Sequence, residues 1–392
     1  MSGHVNVIGV GMVKFGKPGR SDPYNVMASQ AARAALEDAG VRYEQVEQGY
    51  AGYVYGDSTC GQRALYEVGL TGIPVFNVHN NCATGSTALM LAAQAVRAGA
   101  ADCVLCVGFE EMEKGALGSK WNDRTNPIDR HAGVMGALQG FNAAPPTAQM
   151  FGGAGREYRW KYGTKRETFA KVSEKARKHA ANNPLAIFNE PLSVEEILAS
   201  DEVFDPLTRY QCCPPTCGAA AAVLASDAFA QKLGVSRPVR VAAQAMATDT
   251  EASFGDSMIR MVGFDMSKRA ADQAYAQAGL GPKDVQVVEL HDCFTTNEVL
   301  SYEAIGLCGE GEAERLIWDG DNTYGGKWVT NPSGGLLSKG HPLGATGVAQ
   351  CAELVWQLRG QAGKRQVAGA RVALQHNIGL GGACVVTIYR RD

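Results

Sequence analysis

Four groups of residues in this sequence have types and surroundings suited to covalent chemistry. The first is Cys82, within Asn80-Asn81-Cys82-Ala83-Thr84-Gly85-Ser86. The apolar run Ile73 to Val78 before it reads as a strand. From about Ala83 to Arg97 a helix is expected, with Ala88, Leu89, Leu91, Ala92 and Ala95 at helical spacing. This order puts the sulfur at a helix N-terminus, where unpaired N–H groups and the helix dipole favour an anion, so a nucleophilic thiolate is expected. Taken alone, the stretch also fits a buried structural cysteine. The second group is His291-Asp292-Cys293-Phe294, after the strand-like run Val285 to Leu290. His291 and Cys293 point to one side if the strand continues, and metal ligation or core packing are the competing readings. The third is His341, at the end of the glycine-dense loop Asn331 to Pro342 and just before a helix that opens on proline. Such a loop lets backbone approach a ligand closely, although a solvated surface loop fits this stretch equally well. The fourth, Gln375 to Gly382, carries Gly379, Gly381 and Gly382, which can aim backbone N–H groups into a site. Together a thiol nucleophile, a second thiol, two histidines and a glycine-rich donor loop suit acyl transfer through a thioester.

The elements that hold these groups alternate. Val5 to Val10 reads as a first strand, whose glycines (Gly9, Gly11, Gly16) miss the dinucleotide fingerprint. A helix follows over about 23–39, stopped by Gly40, then strands over Val46 to Tyr55, Ile73 to Val78 and Ala101 to Val107. This density of strands and helices predicts an α/β fold with covered sheets. From about Glu110 to Ser200 the pattern lapses into an excursion with charged helices such as Lys165 to Ala181. There Met150-Phe151-Gly152-Gly153 reads as packing before pocket lining. The Ala-rich run Gly218 to Val223 is ambiguous between helix and buried strand. After Arg237 the alternation restarts with a strand over Pro238 to Ala243 and a helix over Ser267 to Ala278. Ala39-Gly40-Val41 is echoed by Ala278-Gly279-Leu280, and Cys82-Ala83-Thr84-Gly85 by Gly344-Ala345-Thr346-Gly347. Two echoes in one order indicate an internal duplication, with halves at 1–236 and 237–392 whose corners near Cys82 and Gly344 face one another.

Composition narrows the function. The 392 residues are 45% hydrophobic and 20% charged, with a net charge of −3, which argues against nucleic acid as a main partner. No apolar run reaches the roughly 20 residues of a membrane span. Eleven cysteines without framework spacing suit reduced thiols. The absence of a signal-peptide pattern and of a C-terminal peroxisomal tripeptide makes the cytoplasm the expected location. Cys212, Cys213 and Cys217 lack a spaced second pair for zinc, so a structural role near a dimer core is the preferred reading, and no metal is expected. His79, beside the nucleophile, suits packing or a supporting role equally.

At these residues the sequence resembles the thiolase superfamily, and most closely its sterol-carrier-protein-type branch, over essentially its whole length. The resemblance rests on Asn80-Asn81-Cys82-Ala83-Thr84-Gly85-Ser86, His291-Asp292-Cys293-Phe294, Gly340-His341-Pro342 and Asn377-Ile378-Gly379. Conventional thiolases have Asn-Glu-Ala-Phe in the second loop and their acid/base cysteine in a later Cys-x-Gly loop. Here that later loop reads Asn377-Ile378-Gly379, so the acid/base role passes to Cys293. The resemblance implies a five-layered αβαβα fold of two duplicated halves with a loop domain at about 110–200, and a homodimer or tetramer. The implied activity is that of a 3-oxoacyl-CoA thiolase using coenzyme A as co-substrate, with no permanently bound cofactor. Cys82 would carry the acyl group, Cys293 the proton, His341 and His291 the polarisation of oxygen, and the N–H groups of Cys82 and Gly379 the tetrahedral oxyanion. The C-terminal sterol-carrier domain of related proteins has no counterpart here, so lipid transfer is not expected. Alternatives are a retro-aldolase of the same fold acting on a β-hydroxyacyl-CoA, and a non-catalytic acyl-CoA or lipid binder.

Overall fold

A computed structural model describes residues 3–391 other than 116 and 236–237. The first half supplies strands β1 (Val5–Met12), β2 (Gln48–Gly52), β3 (Val75–Val78) and β4 (Cys103–Glu110), with helices α1 (Tyr24–Ala39), α2 (Cys60–Tyr66) and α3 (Thr84–Arg97) between them. The excursion runs from the end of β4 to the start of β7, beyond the expected limit at Ser200. It holds α4 (Asp129–Gln139), α5 (Pro146–Tyr162), α6 (Arg166–Ala180), α7 (Val194–Leu198) and a small pair, β5 (Glu202–Phe204) and β6 (Leu207–Thr208). β7 (Gly218–Ser226) and α8 (Asp227–Lys232) complete this half. The second half contains β8 (Val239–Ala247), α9 (Met258–Met261), α10 (Phe264–Ala278), β9 (Val287–Glu289), α11 (Thr295–Ala304), α12 (Ala313–Trp318) and β10 (Val329–Thr330). It ends with α13 (Gly335–Ser338), α14 (Leu343–Arg359), β11 (Val372–Gly379) and β12 (Ala383–Arg390). The expected boundary at 236–237 lies outside the described residues.

The strands follow the order β10-β9-β11-β12-β8-β1-β7-β4-β2-β3. Read outward from the centre, each half has its first strand, its last, its fourth, its second and its third. In each, the first two pairings are antiparallel and the next two parallel. The duplication suggested by short echoes is therefore a duplication of topology. The echo at Gly40 and Gly279 is also one of conformation. Both are left-handed, at φ 65° and 64°, and both return their N–H to the last turn of α1 and α10. Among the described residues the two half-sheets pair only at Asn6 with Arg240 and Val7 with Val239.

Helices sort into three layers around the two half-sheets. α1 covers the outer face of the first, burying Ala31 and Ala35 against Leu105 and Ala221. α10 covers the outer face of the second, burying Ala270 and Ala274 near Val288 and Leu374, with Met150 and Tyr158 from the excursion. α3 and α14 lie between, where Leu89, Val348 and Leu354 join Val7, Val104 and Ala373. This is the expected αβαβα arrangement. The Ala-rich run is a strand because it pairs with β1 and β4 while helices close on both of its faces. Ala219 to Ala222 are fully buried, and methyl side chains let those helices approach. α3 and α14 cross at glycines, since a Cβ on Gly347 would stand 2.2 Å from the Ser86 nitrogen and one on Gly85 2.8 Å from the Gly344 oxygen.

β2 is shorter than the run Val46 to Tyr55 suggests. Val46 closes a 3-10 turn at Tyr43–Gln45. Beyond Gly52 the chain leaves the sheet because the N–H groups of Val54 and Tyr55 donate to Glu110, at 3.1 and 2.8 Å.

Candidate active site

The nucleophile loop is a tight turn between β3 and α3. Asn81 is left-handed, at φ 48°. The N–H groups of Ala83 and Thr84 fold back to the carbonyls of Asn80 and Asn81, at 3.0 and 3.1 Å. The Thr84 hydroxyl accepts from the Asn80 N–H at 2.8 Å and donates to the Asn81 carbonyl at 2.6 Å, so threonine serves this turn without strain. α3 begins at Thr84 with Ala83 as its cap. Cys82 thus stands just before the helix, as expected, but its buried surroundings overturn the expected dipole-stabilised thiolate. Burial pushes the thiol up to about 12, the Glu110 carboxyl adds to the rise, and only the backbone N–H of Cys82 opposes it. The resting sulfur is a thiol, with Asn81 Oδ1 at 3.6 Å.

The second half brings two loops to the same place. β9 ends at Glu289, and the Leu290 N–H is captured by Asn331 Oδ1 at 2.8 Å, so strand alternation does not govern His291 and Cys293. Asp292 between them accepts the N–H of Leu336 at 2.7 Å and thereby ties this loop to the start of α13. The stretch expected to be a long loop before His341 contains α13 and is buried throughout, against the solvated alternative. Its Lys339 is paired with Glu289 at 3.3 Å, both fully buried. Gly340 has a φ of 117°, and a Cβ there would meet Thr216 at 2.7 Å, so glycine is required just before His341. The Thr216 hydroxyl accepts the His341 N–H at 3.1 Å. His341 Nδ1 lies 2.7 Å from the Thr346 hydroxyl, which gives its own hydrogen to the Pro342 carbonyl at 2.9 Å. That hydroxyl must accept, so Nδ1 carries the proton and Nε2 is bare. Nε2 is buried without a hydrogen-bond partner among the described residues.

The three groups converge. The Cys82 sulfur and one ring nitrogen each of His291 and His341 lie within 4.8 Å of one another. The rings stand edge to face, with centroids 5.1 Å apart. Burial drives both imidazoles neutral. His341 falls to about 3, with Lys339 adding to the effect, and His291 is held well below its ordinary value by burial and then by His341 and His376. Cys293 stands outside this trio. Burial, then Cys213, Cys82 and Asp292, hold its thiol well above the ordinary range. The Cys213 N–H donates to the Cys293 carbonyl at 2.9 Å, and Cys212 bridges Phe294, so Cys213 and Cys293 are cross-strand neighbours. The Cys212/Cys213/Cys217 group is thus dispersed. Cys213 faces the thiols of the site, whereas Cys217 takes the Met112 N–H in the outer core of the first half.

β11 runs through Gly379 and does not stop at Leu374, so the expected donor loop is the end of a strand and a tight hairpin. Gly379 packs on the nucleophile turn, where a Cβ would stand 2.2 Å from the Asn80 carbonyl oxygen. Asn81 Nδ2 donates to the Leu380 carbonyl at 2.9 Å. Asn377 Nδ2 donates to the Cys82 carbonyl at 3.1 Å and lies 3.0 Å from His291 Nδ1. Phe151 stacks on Phe294 at 5.0 Å, and Met150 is fully buried, so this stretch of α5 is packing beneath the Cys293 loop. His79 is exposed.

Sequence reasoning missed Glu110, Thr346, Cys213 and the contact made by Asn377. Glu110 had a signal, as the first acid after an apolar strand. Buried and pushed up to about 7 by desolvation, it accepts three backbone N–H groups. A cavity of about 510 Å³ adjoins the site through Tyr55, a phenol whose ionisation is opposed by burial and then by Cys82. Asp57, Glu111 and Glu113 line it together with Arg63, Tyr24 and Met112.

Two family models cover nearly the entire chain, "Thiolase, N-terminal domain" at residues 5–228 and "Thiolase C-terminal domain-like" at 247–391. The chain belongs to the thiolase superfamily. Within it, the chain is a sterol-carrier-protein-type thiolase, being 59% identical over 391 residues to human sterol carrier protein 2, across 98% of this chain and 72% of that protein. It is 38% identical to an acetyl-CoA acetyltransferase of Methanothermobacter thermautotrophicus, covering 99% of each chain. Among solved structures, the Ltp2-ChsH2(DUF35) aldolase superposes with a TM-score of 0.84 at 25% identity, over 99% of this chain and 98% of that one. No described helix is long and apolar enough to cross a membrane.

Proposed function

We propose that the protein is a 3-oxoacyl-CoA thiolase, cleaving 3-oxoacyl-CoA with coenzyme A in the degradation of fatty acids, branched chains or sterol side chains. The observation that carries this reading is the convergence of the Cys82 sulfur with two neutral imidazoles, one of them bare at Nε2, beside a second buried thiol. Cys82 attacks the 3-oxo carbonyl as its proton passes to His341 Nε2, so charge appears only as the bond forms. His291 and His341 polarise the thioester oxygen, and Cys293 protonates the departing enolate carbon. Coenzyme A, deprotonated by Cys293, then takes the acyl group from Cys82, whose departing thiolate recovers its proton from His341. The N–H groups of Cys82 and Gly379 are assigned to the tetrahedral oxyanion. The thioester itself acidifies the α-carbon, so the chemistry calls on no metal or redox group.

Dimerisation fits the edge strand β3, which exposes Phe76, and the segment leading to it, which exposes Tyr66 and Leu70. Eleven free thiols suit a reducing compartment such as the cytoplasm.

The aldolase neighbour favours a second reading, retro-aldol cleavage of a β-hydroxyacyl-CoA. That reaction needs no acyl-cysteine. Mass spectrometry after brief exposure to a 3-oxoacyl-CoA without free coenzyme A separates the two. Thiolysis gives an acyl adduct on Cys82 that coenzyme A discharges. Absence of the adduct, with full activity of Cys82→Ala on any acyl-CoA, rules the thiolase mechanism out.

A further inference from the structure

We infer that Asn377 is a positioning residue that locks His291 in the tautomer with its proton on Nε2, giving the reacting sulfur one imidazole that donates and one that accepts. The role assigned to that donor rests on the thiolase reading, whereas the tautomer itself does not.

The assignment follows from two backbone carbonyls, which can only accept. Gln375 Nε2 lies 2.7 Å from the Gly347 carbonyl, which fixes that amide, and the Tyr389 hydroxyl donates to Gln375 Oε1 at 2.6 Å. The other Gln375 N–H goes to Ser86 Oγ at 2.7 Å, so the Ser86 hydroxyl spends its hydrogen on Asn377 Oδ1, also at 2.7 Å. From the opposite end, the Cys82 carbonyl at 3.1 Å requires Nδ2 of Asn377 on its side. Both ends agree on the amide's orientation. The remaining Nδ2 hydrogen faces His291 Nδ1 at 3.0 Å, which must therefore be bare. The five side chains of this relay, Tyr389, Gln375, Ser86, Asn377 and His291, are at most 2% exposed, so water does not compete for the amide.

A neutral imidazole with a bare Nδ1 carries hydrogen on Nε2. His341 is fixed by Thr346 in the opposite sense. With both Nδ1 atoms engaged, the two Nε2 edges are left for the sulfur, one with a lone pair for the thiol proton and one with an N–H for a developing oxyanion. The same lock weighs against a cation held by Cys82, His291 and His341. Ligation through His291 Nε2 would move the proton to Nδ1, against the N–H of Asn377.

The test is ¹⁵N NMR of the full-length protein labelled at histidine, with the His291 signals assigned by His291→Gln. The wild type should show His291 protonated at Nε2 and bare at Nδ1. Asn377→Leu, which keeps the branched shape and removes the donor, should give a tautomer mixture. Its kcat should fall by about a hundredfold or more with KM within about twofold, the scale of a misdirected acid–base group. Alkylation of Cys82 by iodoacetamide should be unchanged, which separates positioning from collapse of the site. A wild-type His291 protonated at Nδ1 overturns the inference whether or not the variant folds. A variant that keeps wild-type kcat overturns it as well. A bare Nδ1 in a protein that never forms the Cys82 adduct would sink the thiolase reading and leave the lock standing.

Discussion

The carboxyl of Glu110 accepts the backbone N–H of Gly344 at 2.9 Å, across 234 positions of sequence. Glu110 closes β4 in the first half and Gly344 opens α14 in the second, while Val54 and Tyr55 donate to the same group. One buried side chain thus holds together the segment after β2, the end of β4 and the helix that follows His341.

Glu110→Gln keeps the shape but turns one acceptor into a donor facing an N–H. An unsatisfied buried amide costs about 1–3 kcal/mol, and urea denaturation at pH 5.5 should show that loss. The difference depends on pH. The folded carboxyl titrates at about 7, above its ordinary 4.5, so the folded state keeps a proton that the unfolded chain releases. The wild type therefore loses stability as pH rises from 4.5 through 7, by up to about 3 kcal/mol, and glutamine does not. The gap between the two proteins should narrow or reverse by pH 8. A gap that widens with pH would contradict the placement of the carboxyl.

Thr346→Val removes the acceptor of the His341 Nδ1 proton with little change in volume. The ring is then free to carry its proton on Nε2, facing the sulfur it should deprotonate. The rate of Cys82 acylation by an activated thioester should fall by roughly 10²-fold. Thr346→Ser, which restores the hydroxyl, should recover most of it. Equal damage from serine and valine would show that the methyl, and not the hydroxyl, matters.

The resting Cys82–His341 pair is neutral across the working pH range, the thiol at about 12 and the imidazole at about 3. Alkylation of Cys82 by iodoacetamide should accelerate about tenfold per pH unit through pH 9, with no plateau near neutrality. A plateau below pH 7 would reveal a preformed thiolate–imidazolium pair.

Much of the site was legible in the sequence because its reacting groups lie in short, unusual loops. Cys82 follows two asparagines, His341 stands between Gly340 and Pro342, and His291 and Cys293 follow a strand-like run, and the fold brings three of the four within a few ångströms. The groups that orient them were not legible. Glu110 meets Gly344 and Asn377 meets His291 across long stretches of chain, and no local pattern encodes such meetings. The sign of the Cys82 shift was misjudged for a related reason. A helix terminus is a local feature, whereas the desolvation that outweighs it comes from the whole tertiary environment. The end of β2 was misplaced because Glu110 captures Val54 and Tyr55 from outside their own segment.

Among the described residues the two half-sheets pair at only two positions, yet α14 packs on strands of both and α3 packs on α14 from the first half. The cohesion of the molecule therefore resides in its middle layer and not at the seam of the sheets. Each half, severed at the junction, would expose one of these apolar helices to water. Denaturation should accordingly be all-or-none, with no stage at which one copy of the ancestral unit survives the other. The duplicated ancestor has given up its independence, since neither copy keeps a complete interior of its own.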